Sequence, residues 1–265
     1  MPELIEVKIM SEFINQAADN HLFKSIHISE LTKNKLSQRL QSLTNFKIQS
    51  FSRGKELKIC FNNDFNLFFA MGMSGNFILS ENVIKHTHLW FERDDNLKLC
   101  LVDVRRFAKW KETETWNKNR SPCPFQEQEE FTNNLKFYIL NKPTIFKNKN
   151  IGEILLEQKL FNGIGNYLRA EIIARMDIEP WRDSLEVLKN KVLFDKLIEL
   201  CYTVPALVYM IGGGQIKDWK NPNLKIEIID NKQNFFEWII VYGKQSSYID
   251  STGRRMWFQN KFKKC

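Results

Sequence analysis

Apolar residues recur at helical spacing near the start of the chain, at Val7, Met10, Phe13, Ile14 and Ala17. This period predicts a helix that opens within a few residues of the N-terminus. Short alternating runs follow: Leu22 to Ile28, Phe46 to Ile48, Leu57 to Phe61, Phe65 to Met71, Asn76 to Leu79, His88 to Phe91 and Leu97 to Val102. Turn-formers separate many of them, among them Asn62-Asn63-Asp64, Gly72 to Gly75 and Asp94-Asp95-Asn96. That rhythm predicts an antiparallel sandwich or barrel. Residues 116–130, with Pro122-Cys123-Pro124 at their centre, are polar and aperiodic and read as a linker. Helical periodicity then returns at roughly 131–141, 150–161, 166–176, 184–200 and 203–211. Near the end, Trp238 to Tyr242 and Arg255 to Gln259 read as two strands joined by a polar turn containing Gly253. The expected class is α+β with two domains, an N-terminal β-sandwich over 1–115 and a helical domain over 131–265 that carries a hairpin at about 236–262.

Composition narrows the setting. Of 265 residues, 43% are hydrophobic and 26% charged, which suits a folded chain without a membrane span of ~18 uncharged apolar residues. Lys+Arg 39 against Asp+Glu 31 gives a net charge of +8, compatible with an acidic partner. Five scattered cysteines (Cys60, Cys100, Cys123, Cys201, Cys265) form no C-x-x-C pair, so no zinc ribbon or disulfide framework is readable. Met1-Pro2-Glu3 does not open a signal or transit peptide. An intracellular chain is expected, in the nucleus of a eukaryote and otherwise in the cytoplasm or a viral factory.

Several segments could carry chemistry. Removal of Met1 would leave Pro2 with a secondary amine, a group type that titrates near ~8 and can form an iminium ion on an aldehydic carbon. Glu3 and Glu6 share a helix face beside it. Taken alone, the same residues also read as an ordinary helix cap. Gly54 in Arg53-Gly54-Lys55-Glu56 lets Lys55 project from a strand start, as a phosphate ligand or as a solvated turn. Gly72 and Gly75 flank Met73, while Arg105 and Phe107 follow Asp103 on a second loop. These three side chains suit a wedge into a base stack, or else belong to the core. In Asn162-Gly163-Ile164-Gly165-Asn166-Tyr167-Leu168-Arg169-Ala170-Glu171 a double-glycine joint exposes backbone N–H groups at a helix start, with Asn166 expected at the N-cap. Residues 244–265 hold six basic side chains against one acid, Asp250, which reads as a DNA-groove hairpin or a basic tail.

In this order, over essentially the whole chain, these segments resemble the formamidopyrimidine-DNA glycosylase/endonuclease VIII family. The resemblance is greatest to its endonuclease VIII-like 1 branch. It implies a bifunctional DNA glycosylase with abasic-site lyase activity on oxidised bases: oxidised pyrimidines, formamidopyrimidines and hydantoins. The fold it implies adds a helix–two-turn–helix and a zincless-finger hairpin. Carried over residue by residue, Pro2 would attack the sugar C1′, Glu3 would protonate the ring oxygen, and Glu6 would assist. Lys55, also part of the catalytic set, would grip phosphates together with Asn166 and Arg254. Met73, Arg105 and Phe107 would fill the void left by a flipped nucleotide. Gly212, Gly213, Gly214 and Gln215 stand where relatives carry a lesion-reading loop with a Gly-Gly pair and a following Lys or Arg. Most relatives hold zinc in the hairpin; here Trp238, Ile240, Trp257 and Phe258 are expected to replace the metal by apolar packing. Leu4-Ile5 replaces the Gly-Pro usual between the two acids, and the long basic tail of vertebrate relatives is missing. No cofactor and no metal are implied. The expected partner is damaged duplex, bubble or single-stranded DNA, met by a monomer. Two rivals are a catalytically silent damage binder and a purely structural nucleic-acid module.

Overall fold

The computed structural model describes residues 2–30, 32–62, 64–214 and 235–263. The chain divides into two compact units, one running to Trp116 and the other starting at Asn117, with Gly214 belonging to the first.

The first unit opens with α1 (Leu4–Ala18), followed by β1 (Phe23–Ile28), a single turn α2 (Gln38–Gln41), β2 (Ile48–Arg53), β3 (Glu56–Phe61) and β4 (Phe65–Ala70). It continues with β5 (Asn76–Ser80), β6 (Thr87–Arg93), β7 (Lys98–Val102) and β8 (Lys109–Glu112). These strands form two antiparallel four-stranded sheets, ordered β1-β6-β7-β5 and β2-β3-β4-β8. Alternation puts Phe23, Phe77 and Phe91 on the inner face of one sheet and Phe61 and Phe69 on the inner face of the other. The rings meet across the layers, Phe61 with Phe91 and Phe69 edge-on to Phe77. Strand β8 lies within the expected sandwich but beyond Val102, where the runs expected as strands end. Only Trp110 of its four residues is buried, so as an edge strand it carries almost no alternation to read.

Helix α1 packs against β2. Its apolar stripe is buried through Leu4, Ile5, Met10, Phe13 and Ile14. Asn15 pins it further: its Nδ2 donates to the Ser50 carbonyl at 2.9 Å, and its Oδ1 accepts the Ser50 N–H at 2.6 Å. The side-chain amide thus supplies β2 with the partner a neighbouring strand would have given.

The second unit contains α3 (Gln128–Asn141), a 3₁₀ turn (Pro143–Phe146), α4 (Ile151–Ile154), α5 (Asn166–Met176), α6 (Ser184–Lys189), α7 (Lys191–Met210), α8 (Phe235–Trp238) and the hairpin β9 (Ser246–Ile249) with β10 (Arg255–Phe258). Within the stretch expected as a linker, Ser121, Cys123 and Pro124 are buried. Asn162 ties that stretch down through its N–H to Ser121 Oγ and its Nδ2 to the Ser121 carbonyl, both at 3.0 Å.

Three expected elements differ. The helix expected over 150–161 is one turn, after which the chain descends through i→i+3 turns. Gln158 sustains them by accepting the Gly163 N–H and donating to the Ile164 carbonyl, both at 3.0 Å. The break expected near 201 falls instead at Asn190, whose Oδ1 caps α7 through the Leu193 N–H, and α7 runs on through Pro205. The first hairpin strand is Ser246–Ile249, not 238–242. The Ile240, Val241 and Tyr242 N–H groups all donate at 2.9 Å to the fully buried Glu171 carboxylate, so they are not available to a ladder.

The hairpin is fastened by charge as well as by most of the apolar set expected, with Trp257 packed against Ala170, Ala174 and Val241. Trp238 and Phe258 are buried, but Ile240 is exposed. Arg169 and Asp250 pair at 2.7 Å with both side chains wholly buried. Arg169 also donates to the carbonyls of Gly152 and Arg255. Burial raises the Asp250 pKa, but bonds from the Thr252 hydroxyl, the Arg254 N–H and Arg169 outweigh it and leave the carboxyl below its ordinary range.

Breaking one partner of such a pair costs about 3–5 kcal/mol, because the other charge stays buried and unpaired. Arg169→Met or Asp250→Asn is therefore expected to lower stability by about that amount in urea unfolding, and the double variant by less than the sum. The folded pKa of Asp250 lies below its unfolded value. Its contribution is thus complete above about pH 4 and fades as pH falls through the folded pKa. Unfolding followed from pH 7 downward is expected to show that loss in the native protein and a smaller one in Asp250→Asn.

Candidate active site

Pro2 is buried at the foot of α1, and Glu3 is the helix N-cap. Both acids lie inside the fold, Glu3 at 2% exposure and Glu6 at 4%. Glu6 turns its carboxylate inward: Oε2 accepts the Glu3 N–H and Oε1 accepts the Gly214 N–H, each at 2.9 Å. Glu6 therefore positions the backbone of Glu3 and of Gly214. Leu4 and Ile5 are both buried, so apolar anchoring holds this first turn. Gly212 and Gly213 end α7 with φ of 83° and 77°, and the Gly213 N–H closes the helix on the Val208 carbonyl at 2.8 Å. That left-handed pair favours glycine. Gln215 lies outside the described residues.

Lys55 sits at the tip of the β2–β3 hairpin, half-exposed. Arg53 pairs with Glu56, which leaves a two-residue connection. Gly54 takes a φ of 57° at its first position, the requirement of a II′ turn.

Met73, Arg105 and Phe107 are all exposed, Met73 at 42% and Phe107 at 49%, so none of the three is a core residue. The Arg105 guanidinium lies over the Phe107 ring, 5.0 Å from its centroid. Asp103, fully buried, joins the two loops: its carboxylate accepts from the Ser74 hydroxyl, from the Arg105 N–H at 3.1 Å, and from the Phe107 and Ala108 N–H groups at 2.7 Å. Burial pushes its pKa up, yet the Ser74 hydroxyl and these backbone donors prevail and hold it below the ordinary carboxylate range.

In the second unit, Gly165 rather than Asn166 is the N-cap of α5. Asn166 is the first helical residue, a position from which a side chain does not cap, and its buried Oδ1 has no hydrogen-bond partner among the described residues. Arg254 is exposed at the hairpin turn. Its backbone is gripped at both ends, the N–H by Asp250 Oδ1 at 2.9 Å and the carbonyl by the Asp250 N–H at 2.8 Å. Residues 236–262 contain neither Cys nor His, so the hairpin has no donor set for zinc.

The structure thus joins Glu3 to Glu6 and sets the Met73 loop against the loop carrying Arg105 and Phe107. Sequence reasoning passed over Asp103, Glu171 and the Arg169–Asp250 pair. Each is an acid or its partner lying next to a motif already singled out, and that adjacency was the only signal.

The model of the formamidopyrimidine-DNA glycosylase N-terminal domain matches residues 1–110. Endonuclease 8-like 1 of Homo sapiens is 32% identical, the match covering 98% of this chain and 72% of that protein. Formamidopyrimidine-DNA glycosylase of Zymomonas mobilis is 28% identical, with 94% of this chain and 92% of the relative covered. The solved complex between Lactococcus lactis Fpg and an abasic-site-containing DNA superposes with a TM-score of 0.77 over 97% of each chain, at 22% identity, a likeness of fold. The chain belongs to the formamidopyrimidine-DNA glycosylase/endonuclease VIII family, the DNA glycosylases of base excision repair that also act as abasic-site lyases.

Proposed function

We propose that this glycosylase works through Pro2. With Met1 removed, the secondary amine attacks the sugar C1′ as the glycosidic bond breaks, and the base leaves with a proton. Glu3 protonates the ring oxygen, which opens the sugar to an iminium ion. Loss of a C2′ proton then expels the 3′ phosphate, and a second elimination expels the 5′ phosphate. The observation that carries this reading is the burial of two carboxylates, Glu3 and Glu6, directly beside Pro2. Buried acids are costly, and clusters of them mark sites of chemistry. Glu6 holds the Glu3 backbone in place for that step.

Lys55, Asn166 and Arg254 take phosphates. Lys55 and Arg254 each stand at a hairpin tip, and Asn166 stands at a helix start, where its side-chain N–H₂ is the group that donates to a phosphate oxygen. Met73, Arg105 and Phe107 occupy the gap in the stack, since exposed apolar loop tips have no packing duty to account for them. The loop of Gly212, Gly213, Gly214 and Gln215 faces the lesion. The substrate is an oxidised base in duplex, bubble or single-stranded DNA, met by a monomer inside the cell, without cofactor or metal.

Borohydride added to the processed protein on abasic-site DNA is expected to trap a covalent adduct. One extra residue in front of Pro2 should abolish it. An adduct that survives the block, or none in processed protein, overturns the Pro2 assignment and leaves a damage binder.

Binding measured against salt tests the phosphate set. Lys55→Ala and Arg254→Ala should each reduce the slope of log affinity on log salt by about one unit. Asn166→Ala should weaken binding with little change of slope, because no charge is lost.

A further inference from the structure

Asp103 lies beneath the two loops that carry Met73, Arg105 and Phe107. It follows β7 directly, and its main chain is fixed on both sides: its N–H donates to the His86 carbonyl at 3.0 Å, and its carbonyl accepts from His88 Nε2 at 2.9 Å. The base of the carboxylate is therefore part of the sheet. Its two oxygens divide the loops between them. Oδ1 takes the Ser74 hydroxyl from the first loop and the Arg105 N–H from the second, while Oδ2 takes Phe107 and Ala108. Ser74 Oγ in turn accepts the Arg105 N–H at 3.3 Å.

The loops also touch through their backbones. A Cβ on Gly72 would stand 2.7 Å from Phe107 Cβ and 2.8 Å from the Phe107 carbonyl carbon, and Gly72 has a φ of 60°. A Cβ on Gly75 would stand 2.5 Å from the Met71 carbonyl oxygen and 3.2 Å from Ala108 Cβ. Both glycines are needed for this approach. Arg106, between the two wedge residues, has a φ of 57°, a strained value for a side-chain-bearing residue. Three exposed side chains on two loops thus stand on one buried anion.

We propose that Asp103 is the positioning residue that makes Met73, Arg105 and Phe107 a single rigid wedge, and that it acts on substrates in a base stack and not on the chemistry at Pro2. This rests on the reading of those three side chains as void-filling. An amide in place of the carboxylate keeps the volume but turns an N–H₂ toward backbone N–H donors, so two loop attachments are lost and the wedge residues move independently. An unstacked single strand has no gap to fill, and it should not register the change.

The test uses the full, processed protein in two assays. One is single-turnover excision of an oxidised pyrimidine from duplex DNA, with 2-aminopurine beside the lesion to report unstacking. The other is strand cleavage at an abasic site in a single-stranded oligonucleotide. Asp103→Asn is expected to slow the duplex reaction roughly ten- to a hundredfold, the scale of a small misplacement of a positioning group. Cleavage of the single strand should stay within about twofold, the scatter of independent changes. Ser74→Ala, which removes one of the four donors and leaves the carboxylate, should shift the same ratio in the same direction by less, and it serves if Asp103→Asn does not fold. Combined with Phe107→Ala, Asp103→Asn should add little. Equal loss in both assays, or full additivity with Phe107→Ala, would show a merely structural Asp103 and overturn the proposal. If Met73→Ala and Phe107→Ala themselves leave the duplex rate unchanged, the void-filling reading fails and takes this proposal with it. If those two slow the duplex while Asp103→Asn and Ser74→Ala do not, only the role of Asp103 is wrong.

Discussion

A carboxylate removed from water is unstable unless donors surround it, and among the described residues four buried acids turn that constraint to the same use. Glu6, Asp103, Glu171 and Asp250 are all buried, and each accepts two or more backbone N–H groups from a segment that has no regular secondary structure to satisfy it. The arrangement serves both sides. The loop N–H groups gain acceptors they would otherwise lack, and the acid gains the donors that offset its burial. Because both oxygens of a carboxylate have fixed geometry, a loop bound in this way is held nearly as firmly as a strand in a ladder.

The four acids are not spread at random over the fold. Glu6 holds the first turn of α1, Asp103 the paired loops, Glu171 the segment leading into the hairpin, and Asp250 the hairpin tip. Sheets and helices supply the frame, and the acids fasten to it the irregular segments where the proposed contacts with DNA are made. A loop fixed by a buried anion can expose apolar or cationic side chains at its tip without needing them for its own packing.

Much of this was legible beforehand, and the parts that were not share a cause. The strands from β1 to β7 carry alternating Phe, Leu and Ile facing a core, a pattern local to each segment, and α5 follows directly from its glycine joint. Strand β8 shows one inward Trp110 and no alternation. The short α4 and the displaced hairpin strand depend on Gln158 and Glu171, whose effects fall several to seventy residues away in the sequence. Asn166 moved from cap to first helical residue because Gly165 could take the extended cap conformation itself. Helical spacing makes Glu3 and Glu6 legible as neighbours, but Glu6 has both oxygens on backbone groups, one of them on Gly214 more than two hundred residues distant. No periodicity encodes such a contact.

The fastening of the hairpin bears on the oxidant chemistry that such an enzyme meets. A thiolate finger loses its grip when peroxide carries cysteine sulfur up to the sulfenic or sulfinic acid. Carboxylate, guanidinium and backbone amide have no comparable oxidation step, and residues 236–262 contain no cysteine at all. Two cysteines placed elsewhere, Cys100 and Cys201, are shielded in a related way. Burial raises the pKa of Cys100 and Cys201, which keeps the sulfur protonated and out of its reactive form. The ion pair and the backbone bonds that fasten the hairpin are therefore made of groups that the agents producing oxidised bases leave intact.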